Sequence, residues 1–332
     1  MQAVTQRDSE ARTPRRRAPR SIIVPLDGTE AARAVLPLAY LLAGTFEAPI
    51  HRIHVAGRRE RVGDHARRVH DEALALLYGL AAAREGGTGS PSTADEVAVI
   101  VDGPDDDATD AGVAVIAAAS TEVADDDDTE PDVEVVLPGD DPAARLADYL
   151  RTRPDAIVCL ATHARGGLHR RMVGNVADEL ARTSPCPVVA IGPHADRAAI
   201  GRPPATLLLA VGPGLPEHTT DLVAAWARAF DAEVVAAHVD PAPRAGQRDE
   251  RAHDEVVALS NRLQGRGIEA RARIVAGPRI ADALLTVAAT LPQPLLLVAP
   301  VRPRDDSRVP TDVTHQLLHA GRWPVVACAG RP

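Results

Sequence analysis

Apolar residues along the chain fall into short β-branched runs, separated by longer stretches in which apolar positions recur every three or four residues. That alternation argues for parallel strands joined by helices that cover both faces of a sheet. In the first half it predicts strands near 22–26, 49–55, 133–137, 155–160 and 187–191. In the second half it predicts strands near 206–211, 233–239, 269–275, 294–299 and 324–328. Helix starts are expected near Thr29, Asp141 and Gly174. The clearest is Asp141, because Pro142 follows it at a position whose amide would have no helical partner.

The order of elements is written twice. SIIVPLDGTEAARAVLPLAYLLAGTFEAPIHRIHV at 21–55 lines up with ATLLLAVGPGLPEHTTDLVAAWARAFDAEVVAAHV at 205–239. DAIVCLATHARGGLHRRMVGNVADELARTSPCPVVAI at 155–191 likewise corresponds to QPLLLVAPVRPRDDSRVPTDVTHQLLHAGRWPVVACA at 293–329. The 332 residues therefore divide into an arm at 1–20, a first domain at 21–194, a linker at 195–204 and a second domain at 205–332. The arm is expected to be flexible and is rich in Arg; the linker is rich in Pro, Gly and Arg. The segment at about 85–132 has no counterpart in the second half. It carries fifteen acidic residues and no basic one, so the rest of the chain is net basic although the whole stands at -9. Its Asp runs repel one another and predict a mobile loop, with EVAVIVDG and GVAVIAA able to form an added strand or helix.

Composition narrows the chemistry. Aromatics make up only 2% of the residues, too few for a base-stacking platform along single-stranded nucleic acid. All 37 basic residues are Arg, which removes the P-loop lysine, the Schiff-base lysine and Ser/Lys nucleophile pairs. Cys159, Cys186 and Cys328 each lie in or beside an apolar run and read as buried free thiols of a reducing compartment. The opening residues lack the apolar core of a secretory leader, and the long apolar stretch at 283–301 is broken by Pro292, Gln293 and Pro294. A cytoplasmic protein without a membrane span is expected.

In a doubly wound sheet, ligands bind beyond the carboxyl ends of the strands where the strand order reverses. Asp27, Gly28 and Thr29 follow the first strand there, with a carboxylate suited to accept hydrogen bonds from a sugar or an exocyclic amine. After the fourth strand runs the segment from Ala161 to Asn175. It includes Thr162, His163, Ala164, Arg165, Gly166, Gly167, His169, Arg170, Arg171 and Gly174, and it leads through Val176 into a helix. Small residues, cationic groups and a helix N-terminus together favour a phosphate. The same segment also reads as an ordinary surface connection with Arg for solubility.

VPLDGTE on the first strand, THARGGLHRRMVGNVADEL before the last helix and the ending SPCPVVAI resemble the universal stress protein family. The duplicated layout is similar to that of its tandem members. The family's nucleotide loop is Gly, two residues, Gly, nine residues, Gly, then Ser or Thr. Carried onto this chain, those places are Ala161, Ala164, Gly174 and Asn175, so one of the four is identical. The resemblance implies that Asp27 is the adenine-side carboxylate, that Val55 offers a backbone contact to the base, and that ATP, with or without Mg2+, is the ligand. It also implies two five-stranded parallel sheets of order 3-2-1-4-5, with the last strands of the halves meeting antiparallel about a pseudo-twofold axis. A further homodimer stays open.

The second half departs further from that pattern. Gly212 stands in the place of Asp27, and the loop from Pro300 to Asp312 contains three prolines and the acidic pair Asp305–Asp306. Prolines delete amides and carboxylates repel a polyphosphate, so this half is expected not to bind ATP. Other signals lead nowhere specific. Gly212-Pro213-Gly214 lacks the third glycine of a dinucleotide fingerprint, and His315 and His319 have zinc-helix spacing with Gln316 where the base would be Glu. The acidic residues at 102–110 lack calcium-hand spacing, and Arg15–Arg17 offer at most nonspecific contact with nucleic acid. The resulting expectation is a stress-response module that binds ATP in its first domain without turnover. A structural or protein-interaction module without nucleotide is the alternative, and a slow ATP hydrolase the third.

Overall fold

The computed structural model describes residues 19–56, 97–102, 113–118, 133–138, 141–162, 173–212, 214–240, 250–299 and 311–328. Three predicted features lie outside them: the arm up to Ala18, the loop from His163 to Met172, and most of the second-half loop that begins at Pro300.

The first half runs β1 (Ser21–Pro25), α1 (Glu30–Arg33), α2 (Leu36–Phe46), β2 (Ile50–Ala56), β3 (Val97–Asp102), β4 (Val113–Ala118), β5 (Val133–Pro138), α3 (Pro142–Arg151), β6 (Ala156–Ala161), α4 (Val173–Thr183) and β7 (Val188–Ile191). The second runs β8 (Thr206–Ala210), α5 (Glu217–Phe230), β9 (Glu233–Asp240), α6 (Glu250–Gln264), β10 (Ala270–Ala276), α7 (Ile280–Ala288), β11 (Pro294–Val298), α8 (Thr311–Ala320) and β12 (Val325–Ala327). Each expected strand is present within a residue or two of its predicted bounds. The β-branched and leucine runs leave both faces of β1, β6, β7, β8, β11 and β12 apolar, which only a sheet covered on both sides can bury.

All strands join one sheet of order β10-β9-β8-β11-β12-β7-β6-β1-β2-β5-β4-β3. Within the second half this is the expected 3-2-1-4-5 order, and the parallel strands of the first half repeat it. The halves meet where β12 pairs antiparallel with β7, Val326 opposite Val189. That pairing satisfies two apolar edge strands at once. The duplication extends to fine detail: Glu47 and Asp231, which end α2 and α5, both take the left-handed conformation at φ 52°.

The acidic segment departs from a simple mobile loop, because its two β-branched stretches become β3 and β4, an antiparallel extension of β5. The alternating Val and Ile residues of VAVIVD and VAVIAA supply strand propensity that the neighbouring Asp runs lack.

The hydrophobic interior divides by sheet face and not by half. One cluster joins Ile22, Val24, Leu38 and Leu42 to Leu207, Leu209, Val223 and Trp226. The other joins Ile23, Ile53, Leu146 and Leu180 to Leu208, Leu284, Leu317 and Val325. Successive residues of β1 thus feed opposite cores, and both cores cross the β7–β12 seam. Residues 192–204 pack as a strap on the first face, with Ile200 buried there and Arg197 paired to Glu30 at 3.3 Å. No described helix is long and apolar enough to cross a membrane.

Candidate functional site

The chain leaves β1 towards β2 on one side and returns through β6 on the other, so the reversal of strand order lies between β1 and β6. Carrying the registers Pro25–Ile53 and Ile23–Val158 along the strands sets Asp27 level with both Val55 and Thr162. Three residues far apart in sequence thereby reach the carboxyl edge of the sheet together.

The turn after β1 is held by its own side chains. Asp27 Oδ1 accepts hydrogen bonds from the Thr29 amide at 2.9 Å and the Thr29 hydroxyl at 2.6 Å. The Thr29 oxygen in turn accepts from the Ala32 amide at 3.1 Å and caps α1. Gly28 between them has φ +76°, a conformation that side chains strain to adopt, and a Cβ built there meets nothing within 4 Å. The carboxylate is exposed and oriented by Thr29.

Arg33, on the last residue of α1, reaches back to donate to the Gly28 carbonyl at 3.4 Å. Sequence reasoning missed this cation. The signal was its place one helical turn beyond the capping threonine.

The other predicted residues divide. Val55 is half-buried and packs on the second core. Ala161 ends β6 and packs on the first core. Thr162 is buried, and both its amide, at 2.8 Å, and its hydroxyl, at 3.2 Å, donate to the Ile191 carbonyl. It pins β6 to β7, so its hydroxyl has a structural task. Gly174 and Asn175 lie in the first turn of α4, and Val176 packs on the second core. His163, Ala164, Gly166, Gly167, His169 and Arg170 lie outside the described residues.

At the corresponding end of β8, no carboxylate follows the strand. The Nδ1 of His238 lies 2.9 Å from the Val211 carbonyl oxygen, and α5 begins at Pro216 without a side-chain cap. His54 occupies the matching place on β2 and is buried. The shared His-Val pair at 54–55 and 238–239 was the sequence signal for this position, and it was passed over.

Two further polar features lie in the interior. His51 Nδ1 is 3.0 Å from the Tyr149 hydroxyl, and the Arg153 guanidinium sits 4.0 Å over the Tyr149 ring. Burial raises the Tyr149 phenol above its ordinary value, and the Arg153 charge partly opposes this. Burial also pushes the Cys159 thiol well above the usual range and Cys186 up to about 11, despite the hydrogen bond from Ser184. Such thiols stay protonated and are poor nucleophiles. The described residues contain no group of three or more candidate metal ligands, and the rings of His315 and His319 pack at a tilt of 50° with centres 4.2 Å apart.

Comparison with known proteins bears on the fold. No curated protein sequence matches the chain. Among solved structures, a universal stress protein from Archaeoglobus fulgidus DSM 4304 superposes with a TM-score of 0.61 at 12% identity, covering 94% of this chain and 98% of its own. One from Pseudomonas aeruginosa UCBPP-PA14, described as putative in its published designation, gives 0.55 at 15% identity, covering 93% of each chain. A functionally unknown protein from Pseudomonas aeruginosa PAO1 gives 0.55 at 17% identity, covering 93% of this chain and 92% of its own. At these identities the likeness shows the fold alone. The family model of the universal stress proteins matches residues 19–192, over half of the chain and every strand of the first half. The chain therefore belongs to the universal stress protein family.

Proposed function

We propose that the first half holds one adenine nucleotide, ATP with or without Mg2+, at the crevice between β1 and β6, and that the chain serves stress response by binding it without turnover. The observation that carries this reading is the Asp27 turn. An exposed carboxylate, oriented by Thr29 and flanked by open space over Gly28, stands level with Val55 at the reversal of strand order. Asp27 would accept from the sugar or the exocyclic amine, and the Val55 backbone would face the base. The segment from Ala161 to Val176 would hold the phosphates through the first-turn amides of α4 and the cationic side chains of its loop. Arg33 adds a positive charge on the adenine side.

One observation favours a second reading, a protein-interaction module without nucleotide. Ala161 replaces a glycine of the family loop and its side chain packs on the core, which narrows the backbone approach there. Calorimetry separates the two. Wild-type protein titrated with MgATP should show saturable heat, and Asp27→Ala should weaken the binding by at least about tenfold. Equal heats from both proteins, or none from the wild type, would remove the nucleotide reading. Phosphate release that depends on Asp27 would instead support hydrolysis.

A further inference from the structure

At the end of the second half opposite the Gly212 turn, where the amino ends of β8, β11 and β12 meet α2, the halves leave a pocket of about 290 Å³ between them. Its walls come from α2 (Leu38, Leu41, Leu42), α5 (Trp226, Phe230) and Trp323 before β12, and the strap at 192–204 borders it. The chain has two Phe and two Trp in all. Three of these four rings line this pocket, and the fourth, Phe46, stands 5.6 Å from Trp226 and 5.9 Å from Phe230. A protein that builds its cores from Ala, Val, Leu and Ile has gathered both its Phe and both its Trp at one seam.

The pocket is charged at its rim. Arg202 and Arg322 both line it and are exposed, and neither has an ion-pair partner among the described residues. Asp196 is the single acidic lining residue, and its Oδ1 already accepts from the Ala198 amide at 3.0 Å. An apolar body with a positive rim selects an amphiphile with one anionic head. Size sets a second limit. At about 30 Å³ per water in the liquid, 290 Å³ corresponds to about ten waters, or a ligand of about ten non-hydrogen atoms.

We propose that the pocket between the halves binds a small amphipathic monocarboxylate, with its hydrocarbon body against Leu38, Leu42, Trp226 and Phe230 and its carboxylate at Arg202 and Arg322. The site is separate from the Asp27 crevice and needs both halves, which gives the covalent tandem a use beyond two copies of one fold. A ligand seated there touches α2, the strap and the turn before β12 together, and so stabilises the docked halves.

The test uses the full-length chain with octanoate, which has ten non-hydrogen atoms, as the probe. Trp226 and Trp323 are the only tryptophans, so all indole emission reports on the pocket. Octanoate should change that emission saturably, with a dissociation constant on the order of 1 mM or tighter. The exposed double variant R202E/R322E should weaken it by about tenfold without loss of fold by circular dichroism. Octylammonium and octanol should bind at least about tenfold more weakly than octanoate. No saturable change with octanoate, equal affinity for octanol, or equal affinity in the folded double variant would each overturn the proposal.

Discussion

The two halves share a strand order and helix ends in matching conformations, yet they differ at the place where the family fold offers a ligand site. After β1 stands Asp27, its Oδ1 engaged by Thr29, before a glycine at φ +76°. After β8 stands Gly212, with a histidine ring against the preceding carbonyl and a left-handed glycine at Gly214, φ +73°. The architecture that creates the crevice is thus duplicated, while the carboxylate that follows its first strand is present once. Burial explains how the second half tolerated the change. Its strands are held by cores that cross both halves, so loss of a binding turn costs the sheet little.

The comparison breaks most sharply at Asp27. Asp27→Ala should weaken MgATP by at least about tenfold, the usual cost of losing a hydrogen bond to a charged group, measured by calorimetry. The next largest effect concerns the seam that unites the halves. A Cβ at Gly192 would lie 1.8 Å from the Leu318 carbonyl oxygen, so Gly192→Ala must push β7 and α8 apart. It should cost about 2–3 kcal/mol in urea denaturation.

Alkali should destabilise the fold more modestly. The Cys186 thiol rises from an ordinary 9.0 to about 11 on folding, so between those values the unfolded chain has lost a proton that the folded chain keeps. The stability is complete below pH 9 and declines as pH climbs towards 11, and Cys159 acts in the same direction. Urea midpoints should therefore fall between pH 8 and pH 10, and fall less in Cys186→Ala. Thr29→Ala should cost about 1 kcal/mol through the lost helix cap, and should also weaken nucleotide binding by freeing Asp27. The smallest effect is expected from Gly212→Asp. A carboxylate alone should not give the second half nucleotide binding, because its loop keeps Pro303 and Pro310 and the acidic pair Asp305–Asp306.

Much of this fold was legible in the residues. Runs such as SIIVP and TLLLA announced strands buried on both faces, and Asp141-Pro142 marked a helix start that the structure reproduces with Asp141 accepting from Ala143 and Ala144. The last strands were expected to meet antiparallel, and Val189 faces Val326. Other features were hidden because they depend on long-range assembly. Nothing local in Ile22 and Leu207 says that they share one core, since their meeting requires the β7–β12 seam to exist first. The same reason hid the aromatic pocket, whose rings at 46, 226, 230 and 323 converge only when the halves dock. Thr162 was singled out for a ligand, and its hydroxyl went to Ile191 because a buried polar group must find a partner. The strands β3 and β4 stood among the alternatives read from EVAVIVDG and GVAVIAA, and their β-branched alternation prevailed over the charge of the Asp runs around them.

Binding stoichiometry tests the asymmetry between the halves most directly. Calorimetric titration of the full-length chain with MgATP should reach saturation at one nucleotide per chain. Saturation at two per chain, or heat that never rises above dilution, would contradict it.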